Sequence, residues 1–239
     1  MSDTLMFVAE HVPRIVETIP DILAQDPLKR YLLETEDRKD NIFTRASFKF
    51  SAYADMGTFA GKKTGYVIDN GDAHVCFSDP AKPTSRANGY LLKLAGWLYG
   101  LSLSKEQTKR LKEMQVKYRA AIKEFLGEYG GDMFSIEHVG AIPAKQGHGY
   151  GTTLCKLVVA EADSRRLKTY LVSSNRDANT EFYNRLGFFA VKKFVLGEQN
   201  PTWREAPVVI EIMIRDGPNL AEKQPVDVNL PKDGKPFYV

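Results

Sequence analysis

The sequence of 239 residues predicts a mixed α/β (α+β) fold, and three segments carry that prediction. Residues 134–166 fit a strand, a glycine-rich loop and a helix. Residues 169–188 fit a strand, a polar turn, a short helix and the start of another strand. Two short strands at 65–68 and 74–77 flank Asp69-Asn70-Gly71, which is typical of a hairpin turn. Together these segments indicate a sheet with helices packed against it.

Shorter elements precede the hairpin. Residues 5–9 fit a first strand, and residues 13–24 and 45–54 fit helices. Asp26-Pro27-Leu28 is interpreted as the end of the first helix, because a residue before proline disfavours helical backbone. After the hairpin, residues 78–88 are rich in turn formers and predict a linker.

Two further helices are predicted before residue 134. Residues 91–101 are apolar nearly all round, which predicts a buried helix. Ser104 and Gln107 have capping-box spacing and predict the start of a second helix, which would stop at Gly127 or at Gly130-Gly131. The apolar face of this second helix consists of Leu111, Met114, Tyr118, Ile122 and Phe125.

Composition narrows the functional classes. Hydrophobic residues make up 43% of the chain and charged residues 26%, which is ordinary for a soluble globular protein. A formal net charge of +3 gives no argument for a nucleic-acid partner. Cys76 and Cys155 both lie in apolar runs, which favours packing over a disulfide or a metal site. Without a long apolar run or a signal-like amino terminus, we expect a cytoplasmic protein with no membrane partner.

The run from Val139 to Gly151 predicts a phosphate site. Its glycines let backbone amides approach a ligand, and the following helix start favours a negative charge. A P-loop would need a lysine after Gly151, and Thr152 stands there instead. Gly147, Gly149 and Gly151 are spaced two by two, which fits the dinucleotide fingerprint poorly. A turn that merely starts a helix is the alternative without a ligand.

Two motifs resemble one family. The spacing Gln146-x-x-Gly149-x-Gly151 resembles the coenzyme A loop of the GNAT acetyltransferases. Downstream, Asn179-x-x-Phe182-Tyr183-x-x-x-Gly187-Phe188 resembles the fourth helix of the same fold. The resemblance covers about residues 134–215. It implies a central mixed, mostly antiparallel sheet that splays between strands 4 and 5, with helices on both faces and a helical insertion before strand 4.

The resemblance also implies the domain layout. We expect a single domain over 1–216, with an insertion at about 82–130 and a cofactor-binding core at about 133–215, followed by an extended tail over 217–239. Within the superfamily the layout resembles puromycin N-acetyltransferase and its fungal and bacterial relatives. Those proteins often have a glutamate near the end of the fifth strand, where this chain has Ser173. That departure puts the transfer of their substrate chemistry in doubt.

By resemblance, acetyl-CoA is the donor and no metal is needed. The Val139 amide would polarise the acetyl carbonyl, while Val139 and Ala141 pair with the pantetheine arm and Gly140 eases a bulge. Asn179 would help to fix the pantetheine or adenosine side, and His148 fits either a phosphate contact or a surface position. The residues expected to hold the pyrophosphate are Gln146, Gly147, His148, Gly149, Tyr150, Gly151 and Thr152.

Two residues are candidates for proton transfer. A phenol is protonated at neutral pH, so Tyr183 would donate a proton to the departing thiolate, unless it only packs its helix against the sheet. Strand alternation puts Glu137 on the same face as Val139, so Glu137 would point into the substrate cavity as the base. The alternative for Glu137 is an exposed strand position. His138 is expected on the opposite face, beside a helix.

These features predict an acetyl-CoA-dependent N-acetyltransferase in which a primary amine of a small molecule attacks directly in a ternary complex. The acceptor would be a toxin, an antibiotic or a metabolite, which suggests detoxification by a monomer or homodimer. Its pocket would lie between the first helices and residues 77–134, and Trp203 would be an exposed wall. The alternatives are a protein or peptide N-acetyltransferase and a non-catalytic acyl-CoA-sensing module.

Overall fold

A computed structural model describes residues 4–218 and contains one sheet of seven strands. The strands are β1 (Thr4–Met6), β2 (Gly65–Ile68), β3 (Ala73–Ser78), β4 (Met133–Ala141), β5 (Lys168–Ser173), β6 (Phe189–Leu196) and β7 (Val208–Arg215). Their order in the sheet is β1-β2-β3-β4-β5-β7-β6, and only β4 and β5 run parallel among the described pairs. The predicted mixed, mostly antiparallel sheet is therefore confirmed.

Helices cover both faces of the sheet. They are α1 (Val12–Ile22), α2 (Pro27–Leu33), α3 (Ile42–Lys62), α4 (Arg86–Ser102), α5 (Lys105–Tyr129), α6 (Tyr150–Ser164) and α7 (Arg176–Asn184). Helices α6 and α7 pack on one side, here called the α6 face. Helices α1, α2, α3 and α5 pack on the other side, here called the α3 face. None of the described helices combines the length and apolar character needed to cross a bilayer.

Each face of the sheet has its own apolar core. On the α6 face, Phe77 and Phe134 stack with ring centroids 5.6 Å apart and pack with Leu154 of α6. On the α3 face, Cys76 packs with residues of α1 and α3. Cys76 and Cys155 are both buried free thiols, which confirms the prediction that they pack rather than form a disulfide.

Three predicted boundaries in the amino-terminal part were wrong. Asp26 does not simply end a helix, because its side chain accepts a hydrogen bond from the Lys29 amide and Pro27 then starts α2. Helix α3 runs well beyond the predicted 45–54 and starts at an Asn41 cap. Strand β1 ends at Met6, because residues 9–11 turn into a short 3-10 helix.

Helix α5 follows its prediction closely. Ser104 and Gln107 form the reciprocal capping box that opens it. Met114 and Phe125, which belong to the predicted apolar face, are buried. Gly130, with φ of +89°, ends the helix at the second of the two predicted positions. The predicted tail over 217–239 lies outside the described residues apart from its first two positions, and the predicted domain boundaries stay a prediction.

Helix α4 contradicts its prediction. Residues 91–101 were expected to be buried on all sides, but only Leu92, Ala95 and Ser102 of α4 are buried. The physical reason is its place in the fold, since α4 packs mainly on α3 and so forms an outer layer. Much of its apolar surface therefore faces solvent.

A buried arginine joins α2, α5 and the β6–β7 loop. Arg110 donates through Nη1 to the Tyr31 carbonyl at 2.7 Å and through Nη2 to the Thr202 hydroxyl at 2.9 Å. Its guanidinium also lies 5.0 Å from the Tyr31 ring centroid. Trp203 packs edge-on against the same ring and is half-buried, so its predicted exposure was wrong, whereas its place as a wall of the acceptor pocket stays a prediction.

Candidate functional site

A wedge opens in the middle of the sheet. Strand β4 pairs with β5 only from Met133 to Ile136 among the described residues. Beyond that point β4 continues along β3 as far as Ala141, while β5 continues along β7 as far as Ser173. The two strands therefore diverge, as the family resemblance implies. The backbone of β4 after Ile136 turns an edge toward this wedge, which suits pairing with an extended ligand.

A β-bulge marks the start of the wedge. Cys76 lies opposite His138 and Phe77 lies opposite Ile136, so Glu137 is an extra residue in β4. The bulge shifts the alternation of all later side chains. Val139 packs on the α6 face, whereas His138 contacts α3. The predicted alternation, with Glu137 and Val139 on one face and His138 on the other, was therefore wrong.

Glu137 lies on the α3 face, close to His138. Its carboxylate accepts a hydrogen bond from the Ser78 hydroxyl at 2.7 Å. Ser78 is two residues beyond Cys76, which packs on the α3 face, so strand alternation gives Ser78 the same side. Burial raises the pKa of Tyr170 to about 12, and the negative charge of Glu137 adds to this effect. The bulge thus presents two successive polar side chains, Glu137 and His138, to one side.

His138 forms a pair with a carboxylate of α3. Its Nε2 lies 3.1 Å from the Asp55 carboxylate, and its ring meets Phe59 edge-on at 5.8 Å. Burial favours the neutral imidazole, but the hydrogen bond to Asp55 and the charges of Asp55 and Glu137 outweigh it and raise the pKa of His138 above its usual value. His138 is therefore a base whose strength Asp55 increases.

A second histidine nearby stays neutral. His74 is buried, and burial followed by the charge of His138 lowers the pKa of His74 to about 3. Its Nδ1 has no hydrogen-bond partner among the described residues. Gly140 lies beside it, and a Cβ there would come within 2.7 Å of Ile22. Gly140 thus allows α1 to approach the strand, while the bulge that it was expected to ease is at Glu137.

The glycine loop forms an open cradle after β4. Gly147 and Gly149 both have φ of +77°, and a Cβ built on either would meet no other atom within 4 Å. Gly149 is the N-cap of α6, whose first turn contains Tyr150, Gly151 and Thr152. The N–H groups of this turn have no partner within the helix, so they are suited to bind a phosphate.

Hydrogen bonds fix the cradle at both ends. Gln146 donates through its side-chain amide to the Ala141 carbonyl at 3.1 Å, and His148 Nδ1 lies 2.9 Å from the Gln146 carbonyl. The carboxylate of Asp69 accepts from Lys145 at 2.8 Å and from the Tyr150 hydroxyl at 3.2 Å. Asp69 itself has φ of +50°, so the β2–β3 turn holds the cradle through a strained residue.

Helix α7 lies at the opposite side of the cradle. Phe182 comes within 3.4 Å of the Cβ position of Gly151, which packs α7 against the start of α6. Asn179 is partly exposed, and Tyr183 is buried in the core of the α6 face. Burial, followed by the charge of Cys155, raises the pKa of Tyr183 well above its ordinary value, so the phenol is protonated. Gly187, with φ of +86°, lies two residues beyond Arg185, the C-cap of α7.

The described structure thus divides the predicted site residues between two sides. The cradle, Asn179 and Tyr183 belong to the α6 face, and Glu137 belongs to the α3 face; the wedge connects the two. Sequence reasoning missed Asp55 and Asp69. Asp55 is the only acidic residue of α3, and a lone carboxylate on an otherwise unacidic helix was the available signal.

A match to a protein-family model agrees with this geometry. Residues 117–188 match the model of the acetyltransferase (GNAT) family. This part of the chain is therefore similar to the GNAT acetyltransferases. The match includes β4, the cradle, α6, β5 and α7, which are the elements around the wedge. No curated protein sequence matches this chain significantly.

Solved structures of several N-acetyltransferases share the fold of this chain. An arylalkylamine N-acetyltransferase-like protein from mosquito is 14% identical with a TM-score of 0.58, covering 90% of this chain and 100% of its own. Arylalkylamine N-acetyltransferase 2 from Aedes aegypti is 12% identical with a TM-score of 0.58, covering 90% and 98%. A Drosophila melanogaster polyamine N-acetyltransferase that forms N-acetylagmatine is 9% identical with a TM-score of 0.55, covering 90% and 100%. The resemblance to puromycin N-acetyltransferase stays a prediction.

Proposed function

We propose that this protein is a GNAT acetyltransferase that moves an acetyl group from acetyl-CoA to a primary amine of a small molecule. The wedge at Glu137, with an open phosphate cradle at its end, is the observation that carries the proposal. The names of similar structures, which concern arylalkylamines and a polyamine, support an amine acceptor.

The donor binds along the α6 side of the wedge. The cradle over 146–152 holds the pyrophosphate, since its glycines leave space and its backbone amides lie at the start of α6. The free edge of β4 at Val139 and Ala141 pairs with the pantetheine arm, and Asn179 fixes it from α7. The Val139 amide then polarises the acetyl carbonyl, and one such donor contributes about 3 kcal/mol to a transition state.

The acceptor binds on the α3 side. Glu137 and Asp55 attract an ammonium group there, and Glu137 or the His138–Asp55 pair takes its proton. The neutral nitrogen attacks the acetyl carbon, the C–S bond breaks, and the departing thiolate receives a proton from Tyr183. The attacking nitrogen then loses its excess proton to water, and Tyr183 regains a proton from solvent. Burial keeps the phenol of Tyr183 protonated and so able to donate, but the raised pKa also makes it a weaker acid than a free phenol.

The alternative of a protein or peptide acceptor has less support. A peptide groove would need a clear passage between the first helices and the last hairpin. Arg110 instead links the carbonyl of Tyr31 in α2 to Thr202 in the β6–β7 loop. This bridge closes the passage and supports a small acceptor.

A panel of amines tests the proposal. The protein is incubated with acetyl-CoA and arylalkylamines, polyamines, amino sugars or amino-terminal peptides, and release of the free thiol is followed. We expect turnover with at least one small amine and none with peptides. Turnover of peptides alone would favour a protein or peptide N-acetyltransferase. Acetyl-CoA binding without turnover of any amine would favour an acyl-CoA-sensing module.

The Glu137→Gln variant tests the base on the best acceptor. We expect the rate to fall most at lower pH, where the amine is charged and needs a base. Glu198→Gln, an exposed carboxylate in the β6–β7 loop, is the matched control. An equal response of both variants at all pH values would remove Glu137 from the mechanism.

A further inference from the structure

The outer face of α4 carries an apolar stripe. Tyr90, Leu94, Trp97 and Leu101 follow one another at intervals of four, three and four residues, so they lie on one side of the helix. Their exposed fractions are 72%, 48%, 60% and 54%. The buried residues Leu92, Ala95 and Ser102 lie on the opposite side, against α3. The helix therefore packs with one side and presents large apolar groups to solvent with the other.

Along the chain the stripe is flanked by cations, and the Asp37 carboxylate that is bonded to Ser104 lies beyond its carboxyl end. Residues 80–105 contain four cations, Lys82, Arg86, Lys93 and Lys105, and no aspartate or glutamate. All four cations are exposed. Within α4 itself, Arg86 and Lys93 are the charged side chains, and both are cations beside the exposed apolar stripe.

We propose that this stripe docks on an anionic membrane surface, with α4 lying flat in the headgroup region. Tryptophan and tyrosine prefer this region, and Lys or Arg beside them meet anionic headgroups. Trp97, Tyr90 and the leucines enter the boundary between headgroups and acyl chains, while α3 covers the other side of α4. Docking goes beyond the acetyl transfer and does not depend on it.

A second copy of the chain fits the stripe less well. From Tyr90 to Leu101 the helix spans only about 17 Å, so a strip one helix wide, about 10 Å, offers roughly 170 Å² against the roughly 800 Å² per partner that a standard interface buries. Two copies of α4 would also bring like charges together, because α4 carries the cations Arg86 and Lys93 and no acidic residue.

Vesicle binding by the full chain tests the proposal. Vesicles of phosphatidylcholine, with or without phosphatidylserine, are mixed with the protein and recovered by flotation. We expect recovery that requires phosphatidylserine and a blue shift of tryptophan fluorescence that is absent in Trp97→Phe. Replacing Leu94 and Trp97 by Ser together should weaken binding by at least about tenfold, because several buried carbon groups are lost. Arg86→Glu with Lys93→Glu should remove the dependence on phosphatidylserine.

A matched control lies at a distant edge of the sheet. Phe189→Ser removes an exposed aromatic group of β6 and should leave vesicle binding unchanged. Circular dichroism and amine acetylation verify that every variant is folded. Three outcomes would overturn the proposal: no recovery with either vesicle, recovery that the stripe variants do not change, or a lipid-free dimer that the Leu94 and Trp97 changes dissociate. A lipid-free cross-link from Lys93 to a lysine within 219–239 would assign the stripe to the chain itself and also overturn it.

Discussion

Asp55 controls the strongest base of the proposed site. It raises the pKa of His138 against the opposing effect of burial, so its removal leaves burial to lower that pKa. In Asp55→Asn, His138 therefore becomes neutral at lower pH. If His138 takes the proton, the acid limb of the kcat/KM profile moves to lower pH, and the plateau rate falls by about tenfold because the imidazole is less well oriented.

The control for Asp55 is Asp40→Asn, which removes an exposed carboxylate paired with Arg45. Its pH profile should match that of the unmodified protein. A profile of Asp55→Asn that matches both would exclude His138 as the base and leave Glu137 alone in that role.

Tyr183→Phe separates proton donation from packing. The ring remains in the core of the α6 face, so the fold and the affinity for coenzyme A should be kept. Loss of the hydroxyl should lower kcat by about 100-fold, in the range of general acid catalysis. Tyr66→Phe, which removes a phenol bonded to Glu161 away from α7, is the control. Equal kcat in the two variants would restrict Tyr183 to packing.

At the scale of elements, the cradle depends on backbone shape. Gly149→Val places a β-branched residue at φ of +77° and fills the space where a phosphate would lie. We expect the Kd for coenzyme A, measured by calorimetry, to rise by about 100-fold. Gly127→Ala is the control, because a Cβ at this position of α5 contacts no other atom within 4 Å. It should leave the Kd unchanged and stabilise the fold by about 0.5 kcal/mol. Normal binding by Gly149→Val would refute the cradle.

Local patterns made part of this site predictable from the sequence. The cradle from Gln146 to Thr152 and the helix of Tyr183 depend on neighbours in the chain, so their elements were predicted correctly. The bulge at Glu137 depends on pairing with β3, which lies some 60 residues upstream. Its effect on His138 was therefore invisible to a rule of strict alternation. Asp55 reaches His138 across 83 residues, and no spacing rule connects them.

Helix α4 shows the same limit for burial. An apolar segment predicts that its side chains are buried, but it does not tell whether they are buried within the chain or against another molecule. The total charge of +3 likewise gave no reason to expect a membrane partner, because a sum over the chain does not show that the charged residues of α4, Arg86 and Lys93, are both cations. The contacts of the folded chain were needed to see both features on one surface.

At the scale of the whole molecule, His74 makes stability depend on pH. In the unfolded chain His74 binds a proton below its usual pKa of 6.5. In the folded protein the pKa of His74 is about 3, so the imidazole stays neutral until the pH falls to that value. Because the folded pKa is lowered, this contribution is complete above pH 6.5 and is lost as the pH falls. Between pH 7 and pH 5 the free energy of unfolding should fall by about 2 kcal/mol on this account.

Urea unfolding at the two pH values measures that loss. His74→Asn, which cannot titrate, should lose less stability between pH 7 and pH 5 than the unmodified protein does. His148→Asn changes an exposed histidine of the cradle and is the control. An equal loss in His74→Asn and the unmodified protein would show that His74 is not responsible.

The arginine at position 110 has a consequence for how new specificities would arise. It ties the backbone of α2 and Thr202 of the β6–β7 loop to α5, and Tyr118 of α5 packs in the same cluster. A substitution among these residues would disturb the hydrogen bonds of the buried Arg110 guanidinium. It would therefore lower the stability of the protein before it changed which acceptor binds. Variation that recruits a different acceptor is thus expected to accumulate at the exposed positions of α1 and α3, which lie outside the cluster around Arg110.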